Sequence, residues 1–221
     1  MYGIVIFDTN SCIKGSLSFL LLLKTHNFQN YIINYIINYK KVGTIMKTIV
    51  IYKSKYGSTE TYAHWIGEEL GCDVVGASKI KAEELLAYDT IIYGGGLYAE
   101  VIAGVTLITK NIDKLKDKKL IVYTTGITPM DCRDYYEKYV VEKNFKNGIY
   151  EKIRMFNFPG KMILSELTMV HRAAIKTLKK IMSDKKNPTE MEKMLIDLCD
   201  ADGDFTDRTL IEDLVKYAQN N

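Results

Sequence analysis

An α/β fold, with a parallel β-sheet covered by helices on both faces, is predicted by three features of this 221-residue sequence. From Met46 onward, apolar strand-like runs alternate with helical runs, the pattern of parallel strands joined by crossover helices. The first strand-like run leads directly through the loop Ser54-Lys55-Tyr56-Gly57-Ser58-Thr59 into a helical run. A second glycine cluster, Gly94-Gly95-Gly96, ends the third strand-like run, where the first loop needs a partner.

Residues 1–45 stand apart from this pattern. They are dominated by Ile, Asn, Tyr, Lys and Leu, with Asp8 the only acid. The run Leu17 to Leu23 is too short to span a bilayer, and no small-x-small cleavage site follows it. Residues 1–45 are therefore expected to be an extension read from an early start codon, outside the fold. A hydrophobic N-terminal anchor is the rival. Strands are expected at Thr48–Tyr52, Asp73–Gly76, Thr90–Tyr93, Leu120–Thr124 and Ile153–Phe158. Helices are expected at Thr59–Leu70, Val105–Leu115, Asp131–Lys143, Ser165–Met182 and Thr209–Ala218. Trp65 falls in the first helix with Ile66 and Leu70, which reads as core.

The first loop has the chemistry of an anion site. The leading N–H groups of a helix lack internal acceptors, and the helix dipole places partial positive charge there. Ser54, Ser58 and Thr59 add hydroxyl donors, and Gly57 lets the backbone bend close to an oxyanion. A plain β–α turn capped by Thr59 would need only one hydroxyl. The Gly-x-x-x-x-Gly-Lys-Ser/Thr pattern of nucleotide triphosphatases is absent, so uncharged donors suit a monophosphate. Gly94 to Ala99 also reads as Gly-x-Gly-x-x-Ala. It follows the third strand rather than the first, and the next strand ends in Tyr123-Thr124-Thr125 with no carboxylate for a ribose, which excludes a dinucleotide fingerprint.

The order Val50, Ile51, Tyr52, Ser54, Gly57, Thr59, Ala63, Ile66 resembles the phosphate-loop signature of the flavodoxins. That resemblance implies a doubly wound five-stranded parallel sheet of order 2-1-3-4-5 with a ligand at its switch point. It implies FMN as a non-covalent cofactor, its phosphate on Ser54, Lys55, Tyr56, Gly57, Ser58 and Thr59. The ring would lie between a second loop carrying Gly95, Gly96, Leu97 and Tyr98 and a third carrying Thr124, Thr125, Gly126 and Ile127. Tyr98 is the candidate to stack on the ring. Gly126 would turn an N–H or carbonyl toward it.

A long insert opens at Phe158-Pro159-Gly160-Lys161 and reaches about Cys199. Within it, Leu164, Leu167, Val170, Ala174, Leu178, Ile181 and Met182 recur at helical spacing between basic residues. A helix packed on the sheet with a solvated outer face is expected. Peripheral membrane contact through residues 164–182 is the sharper reading. Phe-Pro-Gly-Lys, the long helix and Asp204-Phe205-Thr206-Asp207 resemble the quinone-dependent protoporphyrinogen oxidases, which pass electrons from a haem precursor through FMN to a membrane quinone. Arg208 stands where that group often has tryptophan. His171 reads as a lone surface imidazole. Asp200 to Asp204 resembles a calcium loop, but Phe205 and Ile211 occupy its obligatory Gly and Glu positions.

The formal charge is +3, and residues 1–45 carry all of it, since four lysines there oppose Asp8. The neutral remainder and the absence of a recognised motif exclude nucleic acid as a partner. Four scattered cysteines without a C-x-x-C pair read as reduced thiols, with no metal site and a cytoplasmic location; contact through residues 164–182 would make that location peripheral to the inner membrane face. Three functions stay open: a carrier docking to a redox partner protein, an oxidoreductase acting on a small organic substrate or quinone, and a cofactor-free scaffold.

Overall fold

The computed structural model describes residues 46–128 and 132–220. The expectation for residues 1–45, and Asp131 as the start of a helix, lie outside the described residues.

Six strands form the main sheet: β1 Thr48–Lys53, β2 Asp73–Gly76, β3 Thr90–Tyr98, β4 Val101–Ile102, β5 Lys119–Gly126 and β6 Ile153–Pro159. Five of them lie parallel in the order β2-β1-β3-β5-β6, while the short β4 folds back antiparallel on β3. With β4 set aside, this is the expected 2-1-3-4-5 order. The register places Val50 beside Val74 and Ile92, and Ile92 beside Ile121.

Side chains alternate across a strand, so each strand feeds two cores. Ile49, Ile51, Ile91, Tyr93, Leu120 and Val122 pack on one face with Leu85, Ile108, Val140 and Phe145. Val50, Ile92, Ile121 and Tyr123 pack on the other with Tyr62, Ile66 and Leu214. Each fully buried aliphatic side chain contributes about 1.5–3 kcal/mol, which is why these near-continuous apolar runs settle as central strands.

The strands β1, β3, β5 and β6 outlast their expected ends, and the largest correction concerns Gly94-Gly95-Gly96. These are not a loop. They stay in register with Tyr123, Thr124 and Thr125 of β5 as the end of β3. Glycine is required because neighbours lie against the bare backbone: a Cβ on Gly94 would sit 2.1 Å from Cζ of Tyr123, and one on Gly95 would sit 2.5 Å from Cγ2 of Ile102.

The helices match less evenly. Ser58–Leu70 is α1, ended by Gly71 in the left-handed conformation, where a missing Cβ removes the steric penalty. The helix expected over Val105–Leu115 contracts to α2, Thr106–Thr109, followed by turns. The Asn111 side chain bonds the carbonyl of Leu107, and such local bonds compete with helix continuation. The next run is α3 Arg133–Tyr135, a π-helical segment Tyr136–Val141 and α4 Glu142–Asn144.

In the insert, α5 spans Met169–Ser183 and α6 spans Glu190–Leu198, the latter opened by a Thr189/Glu192 capping box. Neither α6 nor the antiparallel pair β7 Lys161–Met162 with β8 Gly203–Asp204 was read from sequence. The chain ends in α7, Glu212–Gln219, after a 3-10 turn at Arg208–Ile211. The expectation that α5 buries its apolar stripe on the sheet is corrected: α5 packs chiefly against α6, and Val170 (74% exposed) and Ile181 (58%) face outward. Among the described residues no helix is long and apolar enough to cross a membrane.

Candidate functional site

The C-terminal ends of β1, β3 and β5 converge on the start of α1. Gly57 is the N-cap at φ 95°, and no side chain caps the helix. Its carbonyl accepts the first helical bond from Thr61 N–H at 2.9 Å, so the N–H groups of Ser58, Thr59 and Glu60 precede any intrahelical acceptor. The plain turn capped by Thr59 is not what forms: Thr59 lies inside the first turn, buried, with its hydroxyl 2.7 Å from that of Thr125 on β5.

The hydroxyls of the loop are held from below. Ser54 Oγ accepts the Gly57 N–H at 3.0 Å, and Ser58 Oγ accepts the Lys161 N–H at 2.8 Å. An accepting hydroxyl keeps its own proton, so both serines remain able to donate. In the Thr59–Thr125 pair one hydroxyl donates to the other and one proton is left over. Beneath them the fully buried Tyr123 donates to the Thr59 carbonyl at 2.8 Å, and burial raises its phenol well above the ordinary range.

Sequence reasoning missed a cation here. Lys161 of β7 lies over the loop, with Cε 3.7 Å and Nζ 3.9 Å from the point a Cβ on Gly57 would occupy. Its ammonium pairs with Glu166 at 3.1 Å. The sequence reading named only uncharged donors here, and the structure sets a lysine side chain beside them. The sequence signal was Phe-Pro-Gly-Lys, which reads as the start of an insert and carries no hint of a partner 103 residues away.

Three rings from three segments meet beside the loop. Tyr56 Oη lies 2.7 Å from His171 Nδ1 and accepts the Thr168 N–H at 3.3 Å. Tyr98 packs against His171 with centroids 5.1 Å apart and meets Tyr56 edge-on at 6.2 Å. His171 is thus no isolated surface residue: α5 is tied to the phosphate-type loop through it. Burial, and then the nearby Lys55 charge, lower its pKa. Burial, with a smaller contribution from Tyr56, pushes the Tyr98 phenol up to about 12. Lys55 itself is exposed, with Nζ 5.6 Å from the Tyr56 ring centroid.

The remaining expected residues divide. Leu97 and Gly126 are brought together, since a Cβ on Gly126 would lie 3.4 Å from Cβ of Leu97. Gly96 is covered by the Tyr98 ring, whose hydroxyl would be 2.8 Å from an added Cβ. Thr124 turns to the sheet neighbour instead, donating to Asn157 Oδ1 at 2.8 Å. The Gly126 carbonyl accepts the Gly160 N–H at 2.8 Å. Ile127 follows directly and is half-buried. Trp65 packs edge-on against Tyr62 at 5.2 Å in the second core, as its helical position implied.

In open α/β sheets ligands bind outside the carboxyl ends of the strands at a switch point, and the start of α1 lies at such a place. The chain belongs to the family described as Flavodoxin domain, which matches residues 49–189. No curated protein is a match for it in sequence. Among solved structures it is similar to oxidised flavodoxin 1 from Bacillus cereus, 18% identical over 51% of this chain and 84% of that chain, TM-score 0.36. The Trp repressor binding protein from Bacillus subtilis is 14% identical over 52% and 85%, TM-score 0.39. A mutant flavodoxin from Fusobacterium nucleatum bound to flavin mononucleotide is 17% identical over 52% and 71%, TM-score 0.30. At these identities and scores, membership rests on the family match.

Proposed function

We propose that the chain binds FMN non-covalently and transfers electrons through it. The observation that carries this reading is the donor set around Gly57: an uncapped helix start, serine hydroxyls with spare protons, and a lysine stem against the glycine. Such a set suits a phosphate monoester. The flavin would supply the redox chemistry. The chain's own residues do the rest: Ser54, Ser58 and Thr59 hold the phosphate, while Tyr98 and Leu97 offer apolar area to a ring. Absorbance and fluorescence titration with FMN test this. Replacing Ser54 and Thr59 together by alanine is expected to weaken binding at least tenfold, and unchanged retention would remove the phosphate site.

A second reading is an oxidoreductase related to the protoporphyrinogen oxidases, acting on an organic substrate or quinone. It is favoured by His171, a titratable group that the insert brings against Tyr56 and Tyr98. Oxidation of protoporphyrinogen by FMN-loaded protein with a menaquinone analogue is the measurement, and absence of turnover leaves the carrier docking to a redox partner protein.

The outward face of α5 carries Met169, Val170, Leu178 and Ile181 beside Arg172, Lys176 and Lys180, with no acid in the helix. That charge and apolar pattern suits peripheral contact with an anionic membrane. Co-sedimentation with vesicles of phosphatidylcholine and phosphatidylglycerol tests it, and loss of binding in the Val170→Ser, Ile181→Ser double variant is the expected result.

A further inference from the structure

We propose that Lys161 is the charge-neutralising phosphate ligand of this site, delivered by the insert, and that Glu166 restrains it. The inference rests on the FMN reading and deepens it. Lys161 reaches the loop by two independent routes. Its backbone N–H bonds Ser58 Oγ at 2.8 Å, and its side chain crosses Gly57 with Cε 3.7 Å from the missing Cβ.

The backbone around Lys161 is pinned on both sides. Gly160 donates to the Gly126 carbonyl at 2.8 Å and accepts from Phe205 N–H at 3.4 Å. Met162 and Lys161 pair with Gly203 and Asp204. The lysine is thus held over the start of α1 by structure that a sheet-and-helix core does not require. Its side chain is 24% exposed, against 50% for Glu166. The ammonium lies 3.9 Å from the missing Cβ of Gly57, the residue that opens α1, and an anion at that helix start would gain from both the dipole and a full charge. The carboxylate of Glu166 competes with that anion for the same ammonium.

The charge acts on a phosphate and not on an isoalloxazine ring, so a comparison of FMN with riboflavin isolates it. Dissociation constants for both ligands would be measured by fluorescence quenching on the full chain. Lys161→Gln is expected to weaken FMN about tenfold and to leave riboflavin unchanged. Lys161→Arg should restore most of the FMN affinity. Glu166→Gln should tighten FMN severalfold, because the ammonium is released. Lys161→Gln retains the backbone bond to Ser58, and thermal melting checks that the fold persists. An FMN affinity within twofold of wild type in Lys161→Gln, or a parallel loss of riboflavin, overturns the role of Lys161 while the cofactor reading stands. A wild-type chain that binds neither ligand overturns both.

Discussion

Tyr123 is the residue on which the loop rests. Its phenol is fully buried and neutral, and its hydroxyl donates to the Thr59 carbonyl at 2.8 Å while its ring lies on Gly94. Gly94→Ala would drive a methyl to 2.1 Å from Cζ, and overpacking of this kind costs roughly 1–3 kcal/mol. Tyr123→Phe removes only the donor and should cost about 1 kcal/mol. Urea denaturation of the two variants gives that ranking or refutes it. Gly57→Ala differs in cause. The added Cβ meets nothing closer than 3.7 Å, so its cost is the positive φ itself, about 1–2 kcal/mol. Both glycines stand out in the sequence, and the structure supplies the neighbour, Tyr123, that forbids a Cβ at Gly94. A glycine in a pattern reveals that a Cβ is unwelcome, but not which neighbour forbids it.

Two elements frame the site by contacts that no local pattern announces. The β3–β4 turn holds Ala99 at φ 46° and Glu100 at φ 61°, the left-handed pair of a two-residue hairpin. It persists because Glu100 accepts from Tyr135 and Lys143, while Asn144 bonds the Glu100 carbonyl and the Ile102 N–H. Asparagine tolerates the left-handed region better than alanine, so Ala99→Asn should stabilise by about 0.5–1 kcal/mol in thermal melting. The second element, α5, is tied down by His171, whose folded pKa lies below its ordinary value of 6.5. As pH falls through 6.5 the unfolded chain takes up this proton before the folded chain does. Stability therefore declines between 6.5 and the lower folded value, and is flat above 6.5 with respect to this group. Urea midpoints across that range should show the decline in wild type and lose it in His171→Gln. Helix α1 was legible because apolar spacing and a hydroxyl-rich entry coincide. The contraction of 105–115 was not, since it turns on one side chain, Asn111, bonding the Leu107 carbonyl one turn back.

For the whole molecule, the β2-β1-β3-β5-β6 order puts the ends of β1, β3 and β5 side by side, and one ligand would touch all three. Binding to the folded chain alone must then stabilise it by mass action. FMN at one hundred times its dissociation constant should add about 2.7 kcal/mol at 25 °C, visible as a rise in melting temperature that riboflavin at equal concentration does not match. An unchanged melting temperature would argue for the cofactor-free scaffold.

By itself the sequence determined the alternation of strands and helices, the two-faced core and the loop Ser54 to Thr59, because periodicity and loop chemistry are local properties of consecutive residues. Only the tertiary structure decided that Lys161 crosses Gly57, that His171 meets Tyr56 and Tyr98, and that Gly94 exists for Tyr123. Those contacts join residues 29 to 115 positions apart, and their partners are chosen by how the strands and the insert pack, not by spacing along the chain.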